Sequence, residues 1–159
     1  MATDLIDVLA RDDGQIEVIT LVVRGVEFCV DIKSVREIRG WTPATPVPHS
    51  PSYVKGVINL RGIVMPVLDL AAQLDLGITE PTSRHVIVVA QCGDKLAGLL
   101  VDSVQETFHV SAAQLQAPPA VCGGGAGGSV VDAILPLEGR MISRLVVDRL
   151  VSHEAVLAA

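Results

Sequence analysis

Apolar residues in this 159-residue chain come in short runs, and several of these runs end at or near a glycine. Val18–Val23 stops at Arg24-Gly25, Val57–Leu60 at Arg61-Gly62, Val86–Ala90 just before Gly93, and Val130–Leu137 at Glu138-Gly139. Runs this brief suit strands better than helices. Glycine supplies the positive φ that a tight hairpin turn demands. Half of the residues are hydrophobic but only 3% are aromatic, so the core must be built from Val, Ile and Leu, and β-branched side chains favour the pleated surface of a sheet. The chain is expected to fold as an all-β protein with minor short helices.

Several segments refine this expectation. Phe28, Val30 and Ile32 alternate with Cys29, Asp31 and Lys33, a period of two that predicts one buried and one solvated face. Pro43, Pro46, Pro48 and Pro51 exclude regular helix or central strand, because proline lacks the donor N–H. Ser50-Pro51 suits an N-cap and first helical position, which predicts one helical turn through Tyr53. Leu5, Val8 and Leu9 stand at helical spacing within Thr3–Ala10, Gln116–Gly128 has the composition of a flexible loop, and Asp148–Val151 closes with a helical turn.

The chain also repeats itself. Val18–Val23, Gly25, Phe28, Val30, Val35 and Glu37 are echoed by Val86–Ala90, Gly93, Leu96, Gly98, Val104 and Glu106. This self-similarity points to related lobes. The expected organisation is a flexible or short helical N-terminus over 1–14, one domain over 15–152 with lobes at about 15–80 and 83–152, and a tail over 153–159.

Composition excludes some functions. A net charge of −6 opposes binding to a phosphate backbone, which depends on basic patches. Asp4, Asp7, Asp12 and Asp13 give the start of the chain no basic secretory signal. No apolar run approaches the roughly 18 residues that span a bilayer, so the expectation is a soluble, cytoplasmic protein without membrane insertion. Cys29, Cys92 and Cys122 are far apart and lack a CxxC pair, the usage of reduced thiols packed as small hydrophobes.

Searching for chemistry returns little. His49, His85, His109 and His153 lack the spacing of a zinc site and read as surface or loop residues. Gly123–Gly128 satisfies GxGxxG but follows Pro118-Pro119 and precedes Val130-Val131, so the helix N-terminus that would hold a pyrophosphate is missing. No serine lies in a GxSxG elbow and no carboxylate pair stands apart. Nothing in the residues recommends an enzyme.

What stands out is glycine and charge inside apolar β-structure: Val35-Arg36-Glu37-Ile38-Arg39-Gly40-Trp41 and Lys55-Gly56-Val57-Ile58-Asn59-Leu60-Arg61-Gly62. Turns with solvated charges explain part of this. The functional reading is that the glycines admit another backbone, Arg61 and Glu37 offer charge-assisted hydrogen bonds to a partner, and Val35 and Ile38 supply a dehydrated centre.

These segments resemble the CheW family, as do Thr45–Pro51 and Tyr53-Val54-Lys55 leading into the second of them, Ile63–Leu70 after it, and Gly98–Val104. The resemblance covers residues from about 16 to 150. It implies two five-stranded Src-homology-3-like barrel lobes packed side by side, with no catalysis and no cofactor. It implies a coupling adaptor in chemotaxis signalling arrays, with two partners: the cytoplasmic tip of a methyl-accepting chemoreceptor and the regulatory domain of the histidine kinase CheA. Positions matching Val35, Glu37, Arg61, Val86 and Val104 would lie on or near partner-binding surfaces, with Gly56 and Gly62 shaping them. Alternatives are a CheW-like scaffold of a pilus or developmental signalling array, or a small-molecule-binding barrel using the groove between lobes. The chain departs from the pattern at Asp132-Ala133, where glycine is usual, at Ser143-Arg144 in the closing strand, and at Thr107. Arg144 is expected to face solvent at a sheet edge.

Overall fold

A computed structural model describes residues 15–118 and 130–151. The expected helix over Thr3–Ala10, Cys122, His153, most of the glycine-rich loop and the tail over 153–159 lie outside the described residues. The strands are β1 (Gln15–Val23), β2 (Val26–Asp31), β3 (Val35–Gly40), β4 (Val54–Leu60), β5 (Ile63–Asp69), β6 (Val86–Cys92), β7 (Lys95–Val101), β8 (Ser103–Ser111), β9 (Val131–Leu137) and β10 (Arg140–Leu145). Among the described residues two short helices, α1 (Leu70–Gln73) and α2 (Val147–Val151), complete the set with single 3-10 turns after β2 and β8. The chain is therefore mostly β, as expected.

Two five-stranded sheets form, one ordered β8-β1-β2-β10-β9 and the other β3-β6-β7-β5-β4. The repeat is real: replacing β1–β5 by β6–β10 converts one order into the other. The lobes are nevertheless not the consecutive segments 15–80 and 83–152. Each sheet takes a hairpin from one half of the chain and three strands from the other. β3 leaves the β1–β2 hairpin to pair antiparallel with β6, and β8 leaves β6–β7 to pair with β1. The β4–β5 and β9–β10 hairpins then dock in parallel register on β7 and β2. The exchange covers open edges of β1 and β6 that would otherwise be left without partners. Single bridges tie the ends of each sheet together, Thr45 to Val57 in one and Gln116 to Ile134 in the other.

This exchange produces three cores. Ile58, Leu60, Met65, Val67, Ile87, Val89 and Leu100 fill the β3–β7 lobe, while Val18, Cys29, Val110, Leu135 and Ile142 fill the other. A larger cluster, including Leu21, Phe28, Val30, Leu68, Val88, Leu99 and Leu150, joins the two. Strands β2 and β6 are thus buried on both faces. Phe28 and Val30 enter the joining cluster and Cys29 enters its own lobe's core, so the predicted solvated face of β2 does not exist there. At about 1.5–3 kcal/mol for each fully buried large apolar side chain, this joining cluster makes separate lobes energetically improbable. The period of two also ends earlier than expected, because Ile32–Ser34 forms a 3-10 turn whose Lys33 N–H donates to Asp31 Oδ1 at 3.0 Å.

The hairpins turn where expected. Arg24, Arg61 and Glu138 have φ of 52°, 53° and 52°, beside Gly25, Gly62 and Gly139 at 80°, 89° and 78°. Both central residues are left-handed, which is what a two-residue turn needs to match strand twist. Pro51–Val54 closes a single turn, with Val54 N–H donating to the Pro51 carbonyl at 2.9 Å, but no helix follows and Ser50 Oγ donates to the Val47 carbonyl at 2.7 Å instead of capping it. Arg144 is not at an edge either, since β10 lies between β2 and β9. Its Nε and Nη2 donate to Asp132 Oδ1 and Oδ2 at 2.9 and 2.7 Å. Two of the three departures from the family pattern are therefore each other's partners. Arg144's hydrogen bonds hold the Asp132 carboxyl below its ordinary range, and Asp132 raises Arg144 in turn.

Candidate protein-docking site

β3 and β4 are the two ends of one sheet, yet that sheet curls until they face each other. Across this seam Arg61, at the tip of the β4–β5 hairpin, grips Glu37 on β3. Nη1 and Nη2 donate to Glu37 Oε1 at 2.8 Å each, and Nη2 also donates to Oε2 at 3.1 Å. Those hydrogen bonds are the main reason the Glu37 carboxyl titrates below its ordinary range and Arg61 above its own. The Arg61 side chain is 69% exposed, so the fork is presented to solvent. Asn59 Oδ1 accepts from the Gly62 N–H at 2.8 Å and braces the turn.

Below this fork the seam is closed by backbone. Thr45 N–H donates to the Val57 carbonyl and Val57 N–H to the Thr45 carbonyl, both at 2.9 Å. Gly56 makes that approach feasible: its φ is +142° and a Cβ would sit 2.6 Å from the Thr45 carbonyl carbon. The backbone it admits is the chain's own. Lys55 and Asp69 anchor the same strands from beneath. Buried Asp69 accepts from Thr79 N–H and Oγ1–H at 2.7 Å each, and Lys55 Nζ donates to the Thr79 carbonyl at 2.5 Å while lying 3.7 Å from Asp69 Oδ2.

Of the seven residues singled out in the sequence, Glu37, Arg61 and Gly62 meet at one surface and Gly56 lies buried under it. Val35, Val86 and Val104 are half-buried and pack on the joining core. Val86 stands opposite Gly40 of β3, while Val104 pairs with Leu21 in the other sheet. These three therefore line the junction of the lobes rather than the Arg61 tip. Beside the tip, Ile63 and Val64 are 48% and 64% exposed, whereas Ile38, 44% exposed, points to the opposite face of β3 from Glu37. Ile63 and Val64 were missed from sequence because their run read as an ordinary core strand. They border an open depression of about 340 Å³ completed by Pro66, Asp94, Lys95, Leu96 and Val151.

An exposed ionic fork with apolar side chains near it is chemically able to serve a protein contact, which combines a dehydratable centre with directional charge at its rim. Among the described residues no group of His, Cys, Asp and Glu could hold a metal ion, and no helix is long and apolar enough to cross a membrane. His85 is tied into the fold, accepting from the Thr82 N–H at 3.0 Å through Nδ1. Cys29 and Cys92 are free thiols, and burial pushes Cys29 up to about 12.

The sequence profile of the CheW-like domain matches residues 17–155. The chain belongs to the CheW family. It is 47% identical over 142 residues to the chemotaxis protein CheW of Rhizobium meliloti, covering 89% of this chain and 91% of that one. It is 52% identical over 114 residues to the probable chemotaxis protein CheW of Rhizobium etli, covering 72% and 74%. Its fold matches the scaffolding protein CheW of Thermoanaerobacter tengcongensis with a TM-score of 0.73, at 24% identity and over 82% of this chain and 88% of that one. The glycine-flanked Arg61 hairpin and the Glu37 strand thus sit on a CheW fold.

Proposed function

We propose that this CheW-family chain is a non-catalytic coupling adaptor, which holds the regulatory domain of the histidine kinase CheA and the cytoplasmic tip of a methyl-accepting chemoreceptor in one cytoplasmic array. The observation that carries the reading is the exposed Glu37–Arg61 fork, with Ile63 and Val64 on the hairpin that presents it, mounted on a seam closed by backbone bonds. Glu37 and Arg61 contact a partner directly, and Gly56 and Gly62 shape the hairpin that carries Arg61. Val35, Val86 and Val104 supply an apolar strip where the lobes meet. Residues 15–152 act as one unit, because the exchanged strands prevent either half from folding alone.

Such an adaptor works by coupling free energies: a receptor's conformational bias reaches the kinase through contacts that differ between states. Separate faces on one rigid body also multiply weak contacts into avidity across an array. Pull-down of this chain by purified CheA regulatory domain and by a receptor-tip fragment tests the reading. Capture by both is expected. Failure of both at micromolar concentrations would reject it.

A further inference from the structure

Three arginines surround Glu37, and only one of them holds it. Arg61 takes both carboxylate oxygens. Arg36 donates through Nη1 to Gln91 Oε1 at 3.0 Å and is engaged with β6. Arg39, which shares a face of β3 with Glu37, has its Nη1 3.8 Å from Glu37 Oε2, too far for a hydrogen bond. Its Nε is buried with no hydrogen-bond partner, although the side chain as a whole is 36% exposed. A guanidinium carries five donors, and a buried donor left unpaired is unfavourable. Arg39 is therefore a cation held beside a carboxylate that another cation already occupies.

We propose that Arg39 is the receiving cation of an ion-pair exchange at docking. A partner carboxylate takes the two-pronged face of Arg61, which Glu37 blocks in the free protein, and Glu37 turns to Arg39. This rests on the docking role of Arg61 and adds the chemistry of the partner: it presents an Asp or Glu side chain at this point. Every charge stays paired through the exchange, so releasing Arg61 leaves no carboxylate stranded in the closing interface. Without Arg39, Glu37 would compete with the partner for Arg61 and repel the incoming carboxylate. Arg39 is thus a positioning residue that acts through Glu37.

Calorimetric titration of CheA regulatory domain and of receptor-tip fragment into wild type, Arg39→Met, Glu37→Gln and the double variant tests this. Arg39→Met is expected to weaken binding of one partner about threefold to tenfold, the scale of one charge-assisted contact. Arg39→Lys should recover most of that loss, and in the Glu37→Gln background Arg39→Met should have no effect. The Arg39 side-chain Nε–H resonance should shift when partner is added. Equal losses with and without Glu37 would overturn the exchange, as would wild-type affinity in Arg39→Met. Arg61→Ala serves as the separate control: if it binds both partners as wild type does, the docking role itself has failed.

Discussion

Replacing Gly56 by alanine separates the scaffold from the surface it carries. At φ +142° an L-residue is strained by about 1–3 kcal/mol. The added Cβ, 2.6 Å from the Thr45 carbonyl carbon, forces Thr45 away from β4. That breaks the two 2.9 Å bonds between Thr45 and Val57, each contributing about 1 kcal/mol. The sum is about 3–5 kcal/mol, which for a chain of this size lowers the melting temperature by about 6–20 °C. Gly62→Ala provides the contrast: its φ is +89° but nothing lies within 4 Å of a Cβ, so only backbone strain of about 1–2 kcal/mol remains. Calorimetry should show the larger fall for Gly56→Ala, and hydrogen exchange should show loss of protection at the Thr45 and Val57 amides. A Gly56→Ala protein that melts within about 2 °C of wild type, with those amides still protected, would refute the claim that a close backbone approach closes this seam.

Other substitutions address the charges and the thiol. Arg61→Ala should melt within about 2 °C of wild type, because exposed ion pairs contribute little, while losing capture by at least one partner in pull-down. Asp69→Ala should destabilise by about 3–5 kcal/mol in urea melts, since it removes the acceptor for Thr79 and the counter-charge of Lys55. Asp132 titrates lower in the folded than in the unfolded chain, so its pairing with Arg144 stabilises above the ordinary value of 3.8 and is lost as pH falls through the lowered one. Urea melts between about pH 2 and 6 should therefore show a shallower acid decline for Asp132→Asn than for wild type. Cys29, pushed up to about 12, should resist alkylation at pH 8 until the chain unfolds, as peptide mapping by mass spectrometry will show.

The strands, the hairpin positions and the repeat are legible in the sequence because they are local: run length, glycine position and self-similarity all operate over a few residues. What escapes is what the strand exchange creates. Phe28-Cys29-Val30 looks like a strand with one wet face, and only the joining core makes both faces dry. Arg144 looks like an edge residue until β9 brings Asp132 beside it. Gly56 and Arg61 stand in a conspicuous motif, but one serves the chain's own Thr45 and the other reaches a strand from the far end of the sheet. Lys55, Thr79 and Asp69 give no local signal, because their network spans a connector that carries no periodic pattern. The apolar surface of Ile63 and Val64 is hidden for the opposite reason: exposed and buried valines spell the same run.

Whether the Arg61 seam is the face that receives a partner can be read most directly by amide chemical-shift mapping. ¹⁵N-labelled protein would be titrated in turn with receptor-tip fragment and with CheA regulatory domain. At least one of them is expected to produce its largest shifts at Glu37–Arg39 and Leu60–Val64, with Asn59 and Gly62 reporting the turn. Perturbations confined to β9, β10 and the Asp132–Arg144 pair, with the Glu37 and Arg61 signals unmoved by either partner, would contradict docking at this seam.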